Sequence, residues 1–253
     1  MNILRGLLPL ALLGGTAAAA SAEERLTREQ IYAKAAVTEV WEPVPVEVTP
    51  GTGSAPPSDA IVLFDGTNLD AWEAVKGGAA GWHVADNAMT VVAGTGDIRT
   101  RQSFTDVQLH LEWATPAEVE GDSQGRGNSG VFFMEQYEVQ VLDSYDNATY
   151  PNGQAASVYK QHIPLVNASR PPGAWQSYDI LFTAPRFGAG GRVVQPAYVT
   201  VLHNGVLVQH HVALQGPTEF IGKPQYSPHG AGPIKLQDHS NPVRYRNIWV
   251  REL

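Results

Sequence analysis

Cysteine is absent from all 253 residues. Its absence excludes disulfides, thiolate metal sites, a cysteine nucleophile and a lipid anchor on cysteine. Clusters of basic residues are missing as well. Lys and Arg number 17 against 25 Asp and Glu, for a formal charge of −8. Binding a phosphate backbone needs the opposite balance, so no nucleic-acid partner is expected. Long apolar runs are lacking past the N-terminus, and a membrane span needs ~20 such residues. Helical periodicity is scarce too: no long apolar helix pattern follows residue 60. What remains is enough chain for one large domain, and a domain of roughly 200 residues buries about 70% of its unfolded surface without staples.

The first residues read as a secretory signal. Arg5 supplies a positive start, "GLLPLALLGG" an apolar stretch too short to span a bilayer, and Ala20-Ser21-Ala22 a small-x-small cleavage pattern. Cleavage is expected after Ala22. The mature protein is then exported, periplasmic or secreted, with no membrane partner. Residues 23–59 read as a Pro/Gly-rich N-terminal segment and linker. "LTREQIYAKAA" suits a short helix, "WEPVPVEVTPGTGSAPPSD" is turn-rich, and Trp41 is the one residue there expected to dock.

From residue 60 to 253 the pattern is that of strands. "VQLHLEW" puts Val107, Leu109, Leu111 and Trp113 on one face, with Gln108, His110 and Glu112 on the other. Asn204-Gly205 and Asp86-Asn87 sit where tight hairpins require positive φ. Many short strands with almost no helix indicate a two-sheet sandwich or a barrel. Residues 144–172 are turn-rich without alternation, as long functional loops often are. Two Asn-x-Ser/Thr sequences, at Asn147 and Asn167, fall within them.

Two strands carry chemistry on one face. In "YEVQVLDSYDN", Val139 and Val141 face a core while Glu138 and Gln140 face away. Asp143 shares the valine parity, where a carboxylate is expensive. Either the strand ends before it, or a bulge near Val141-Leu142 turns it beside Glu138 and Gln140. In "GPIKLQDH", Ile234 and Leu236 alternate with Lys235, Gln237 and His239. Amides and charged groups on one sheet face suit sugar hydroxyls, which donate and accept. The plain alternative is two ordinary solvated faces, with Asp143 opening a turn.

The ordered set "IVLFDGTNLDAWE", "GNSGVFF", "YEVQVLDSY", "LVNASRPPGAWQSYDILFTAPRF", "VTVLHNGVLVQ" and "GPIKLQDHSNPVRYRNIWVREL" resembles the bacterial 3-keto-disaccharide hydrolase domain. The resemblance runs from about residue 61 to 253. It implies an all-β, concanavalin-A-like jelly-roll sandwich of two antiparallel sheets, and an exported enzyme that cleaves sugars oxidised to a ketone at C3. Retaining glucanases of that fold use Glu-x-Asp-x-x-Glu. Here the spacing holds Glu138, Gln140 and Asp143, and the shorter Asp disfavours a retaining pair about 5–5.5 Å apart. A 3-keto sugar allows C2 deprotonation, loss of the C1 substituent and addition of water. Glu138 is the candidate base and His239 the acid, with Asp143 next in line. Lys235, Gln140, Gln237 and Tyr145 are the candidate substrate contacts. A divalent cation, with Asp143 and His239 among its ligands, is an alternative to Lys235 in holding the enolate; the spacing signals no metal site. A non-catalytic, lectin-like carbohydrate-binding module is the competing reading, with Trp72, Trp82, Trp175 and Tyr145 as its sugar platforms.

Overall fold

The computed structural model describes residues 26–253. The expected signal and its cleavage point lie outside the described residues. The chain divides between Glu47 and Val48. Before the division, helix α1 (Arg28–Ala36) is held by a capping box: Gln30 N–H donates to Thr27 Oγ1, and Thr27 N–H to Gln30 Oε1. None of its residues is buried, and Trp41 is exposed. No described helix is long and apolar enough to cross a membrane.

Val48–Leu253 is a sandwich of two antiparallel sheets, one of the two architectures the strand pattern allowed and the jelly-roll class the family resemblance implied. Its strands are β1 (Ile61–Phe64), β2 (Trp72–Ala74), β3 (His83–Ala85), β4 (Ala88–Thr90), β5 (Ile98–Phe104), β6 (Val107–Ala114), β7 (Ser129–Phe133) and β8 (Tyr137–Val141). They continue with β9 (Gln176–Thr183), β10 (Arg186–Phe187), β11 (Val193–Gln195), β12 (Tyr198–His203), β13 (Val206–Ala213), β14 (Gly232–Leu236) and β15 (Arg244–Glu252). The larger sheet runs β13-β12-β9-β6-β15-β4-β3, with β1 also on β15. The smaller runs β2-β5-β14-β7-β8, and β10-β11 is a separate ribbon. Both expected hairpin turns form, with Asp86, Asn87, Asn204 and Gly205 all at positive φ.

The core lies between the sheets. Leu109, Leu111 and Trp113 of β6, Tyr178, Ile180 and Phe182 of β9, and Val139 and Val141 of β8 are all buried there. Phe133 stacks on Phe182 across the gap at 4.5 Å. Two hydrogen bonds also cross it: Tyr178 Oη donates to the Gln140 carbonyl at 2.7 Å, and Tyr245 Oη to Ser129 Oγ at 2.7 Å. These pin β8 and β7 to the opposite sheet. A side chain facing outward from β8 therefore stands on a strand fixed from below.

Part of the expected linker belongs to this unit. Residues 48–59 form a strap closed on itself, since Ser58 N–H donates to the Thr49 carbonyl at 3.0 Å. Ser54 anchors it to the outer face of the larger sheet. Its carbonyl accepts from Asn247 Nδ2 and Trp249 Nε1, and its hydroxyl donates to Glu112. Proline-rich composition marked this segment as extended, and its few polar groups hold it down.

Candidate active site

The outer face of the smaller sheet carries a cavity of about 630 Å³. Strand parity builds its floor. Register places Lys235 opposite Phe132, and Phe132 opposite Glu138, in one row across β14, β7 and β8. A second row runs from Gln237, whose N–H donates to the Gly130 carbonyl, through Gly130 to Gln140. Glu138, Gln140, Gln237 and His239 all line the cavity. The two polar strand faces seen in the sequence thus share one surface, with β7 between them.

Glu138 is the distinctive group. It is only 5% exposed, and among the described residues no group donates a hydrogen bond to its carboxyl. Burial pushes its pKa up to about 8, against a smaller opposing pull from the Lys235 ammonium. Gly130 makes room for it: a Cβ there would stand 2.6 Å from Glu138 Oε1 and 2.7 Å from the Phe132 ring. Any side chain at that position would displace the carboxyl.

Gln140 is spoken for. Its Nε2 donates to Gln124 Oε1 at 3.0 Å, and its Oε1 accepts from the Val141 N–H at 3.1 Å. It orients Gln124 and the floor, and has little capacity left for a ligand. Gln237 and His239 are placed by the turn after β14. Asp238 holds that turn, accepting from the N–H groups of Gly94, Gly96 and Ser240. His239 stands exposed at the rim.

Three expected site residues lie elsewhere. Asp143 does not turn beside Glu138, because β8 ends at Val141 and no bulge intervenes. Its buried carboxylate instead meets Arg126 Nε at 2.7 Å and accepts from the Tyr145 N–H. A buried carboxylate has found the cation that its desolvation demands. Tyr145 is exposed outside the cavity, its carbonyl bound by Arg126. Lys235 shares the sheet face, but its ammonium is held 3.1 Å from Asp97 and 4.0 Å over the Phe132 ring. It reaches Glu138 through its charge and does not line the cavity.

Of the expected cation ligands, His239 lines the cavity, whereas Asp143 is engaged by Arg126 and does not line it. Among the described residues no group of three or more His, Asp or Glu side chains is arranged to hold an ion. Of the expected sugar platforms, Trp72 and Trp82 are core residues, each donating its indole N–H to a backbone carbonyl.

The walls come from loops that alternation could not assign. Tyr159 follows Val158, which bridges Val139 along the free edge of β8. Its hydroxyl meets that of Tyr150 at 2.6 Å. Burial first, then the hydrogen bond to Tyr150 and the nearby Glu138, raise the Tyr159 pKa. Two hydroxyls sharing one hydrogen bond leave one proton free for a ligand. Gln124, Asn128, Thr218 and Phe220 complete the lining. The turn-rich stretch 144–172 was the one sequence signal pointing to any of these. Its Asn147 and Asn167 amides are both bound to backbone carbonyls.

The molecule is thus a jelly-roll sandwich with a polar cavity on one outer sheet face, floored by a desolvated carboxyl. The chain belongs to the 3-keto-alpha-glucoside-1,2-lyase-like domain family, whose profile matches residues 59–251. It is similar to a protein described as a "putative glycosyl hydrolase" from Parabacteroides distasonis, with 55% identity and a TM-score of 0.84. That match covers 86% of this chain and 95% of the other. A second protein of the same description and organism is 20% identical with a TM-score of 0.56. It covers 77% of this chain and 94% of its own, and bears on the fold alone. No curated protein matches the chain. Family and relative together make this a carbohydrate-active enzyme of hydrolase-like kind.

Proposed function

We propose that the chain is an exported enzyme that cleaves 3-keto-glycosides in the cavity over β7, β8 and β14, with Glu138 as the base at C2. The observation that supports this most directly is the Glu138 carboxyl: buried, without a hydrogen-bond donor, facing a sugar-sized cavity, and carrying a pKa near working pH. An ordinary glycosidase would need a second carboxylate beside it, and the nearest expected partner, Asp143, is bound to Arg126.

The ketone at C3 acidifies the proton at C2. Glu138 takes that proton, and the electron pair moves onto the C3 oxygen as an enolate. The Gln237 amide and the free proton of the Tyr150–Tyr159 pair are the donors available to it. Such donors contribute about 10²–10³-fold each when aimed at a developing oxyanion. The enolate re-forms the ketone as the C1–O bond breaks, and a proton from the His239 ring goes to the leaving oxygen. The product is an enone with a C1–C2 double bond. Release at this stage is a lyase outcome. Addition of water at C1, with a proton returning to C2, is net hydrolysis.

Paired substrates test the reading. One disaccharide oxidised at C3 and its unmodified parent are incubated with the protein, and products are followed by nuclear magnetic resonance. Turnover of the keto sugar alone is expected, with enone or hydrated product naming the outcome. Binding of both without turnover would favour the non-catalytic module. Turnover of the parent would restore an ordinary glycosidase. Export has its own check: the Ala20-Ser21-Ala22 pattern puts the mature N-terminus at Glu23, and an intact mass still including residues 1–22 after secretion would refute it.

A further inference from the structure

The outer face of the larger sheet carries a second cavity, of about 820 Å³, walled by the Ser54 strap on one side and the Arg170–Ser177 segment on the other. An outward sheet face is ordinarily open and solvated. This one is concave, aromatic and held in place. Register sets Trp249, His110 and Asp179 in one row across β15, β6 and β9. A bulge in β15 at Asn247, which has positive φ, puts Arg246 and Trp249 opposite Glu112 and His110. His110 is buried, stacked on Trp249 at 5.1 Å, and its Nδ1 donates to Asp179 at 2.7 Å. The Trp175 ring is fixed by the Arg246 guanidinium 4.1 Å above it. None of these groups serves the cavity at Glu138, which lies on the other sheet.

We infer that this cavity is a second carbohydrate site, one that takes a neutral saccharide chain. The charges argue for neutrality. Arg246 is matched by Glu112 and Arg251 by Asp59, and the two other charged lining residues, Arg170 and Asp179, are of opposite sign. The cavity therefore offers fixed donors and acceptors without a strong field of either sign. Sugar hydroxyls need both, and a pyranose presents an apolar C–H face for a ring such as Trp175. The volume falls within the range of ligand sites, which run about 300–1,000 Å³. With the catalytic cavity on the opposite outer face, a chain held here leaves that cavity open to its substrate.

Indole signals isolate the site, because no tryptophan lines the cavity at Glu138. Isotope-labelled Glu138→Gln protein, which should not turn substrate over, is titrated with short neutral gluco-oligosaccharides. The Trp175 and Trp249 indole N–H resonances are expected to shift and saturate. Trp175→Ala and Asp179→Asn should each weaken that binding about tenfold. Asp179→Asn is isosteric, so it decides the matter even if Trp175→Ala does not fold. Unmoved indole signals at the solubility limit, or equal affinity in Asp179→Asn, would overturn the inference. So would tighter binding of uronate oligomers, drawn to the exposed Arg170. All these readouts stand whether or not a keto sugar is cleaved.

Discussion

Replacing Glu138 with glutamine is expected to abolish proton exchange at C2 of a 3-keto disaccharide while making the fold more stable above neutral pH. The two effects have one cause. In the native fold, burial pushes the Glu138 pKa from 4.5 to about 8. Between those values the folded protein keeps a proton that the unfolded chain has released. Stability therefore falls as pH rises through that window and levels off above about 8. The cost of the ionised form is on the order of a few kcal/mol. Glutamine has the same shape and no proton to lose, so the melting-temperature gap between variant and native should widen from pH 5 to pH 8. A gap that stays flat with pH would show that the carboxyl is solvated after all. Exchange with deuterated water should fall by about 10²–10⁴-fold, the usual scale for losing a general base. In the native protein exchange should rise with pH and reach a plateau above about 8, since the base form accumulates there. Near-native exchange in the variant would move the base to another residue, with His239 first to be examined.

Removing Arg126 should do the reverse and cost stability. Asp143 is 4% exposed and receives the Arg126 guanidinium at 2.7 Å. The same guanidinium also holds the carbonyls of Tyr145 and Asp146. Arg126→Ala leaves a buried carboxylate uncompensated, which costs about 3–5 kcal/mol. For a chain of this size that is a melting-temperature drop of roughly 10 °C. Adding Asp143→Asn removes the stranded charge and should restore part of the loss, a coupling that calorimetry on the single and double variants would measure. No restoration would mean that Arg126 acts mainly through the two carbonyls. If a folded double variant cannot cleave the keto sugar, Asp143 returns as a participant in the chemistry.

Alternation made the sheet faces legible before any coordinates. "VQLHLEW", "YEVQV" and "PIKLQ" each assign inside and outside correctly, because a strand buried on one face has no other stable register. The same rule put Glu138, Gln140 and Gln237 on a common surface. It could not separate a face from a cavity. Lys235 has the right parity but its ammonium lies over the Phe132 ring, a matter of packing between neighbouring strands. Asp143 sits beyond the end of its strand, where parity no longer holds and the Arg126 charge decides. Tyr150, Tyr159 and Phe220 come from loops, whose periodicity carries no direction. The bulge at Asn247 is not legible, because "RYRNIWVREL" alternates imperfectly without saying where the extra residue falls.

The bridge between Val158 and Val139 has a consequence for how the protein fails. It covers the open edge of β8, and a row of unpaired strand groups there would recruit other chains. The neighbouring residue, Tyr159, is a wall of the cavity at Glu138. Shelter from aggregation and the shape of the site therefore rest on one short seam. When that seam opens under heat or proteolysis, clumping and inactivation should begin together, and preparations that have lost activity should also be the ones that scatter light.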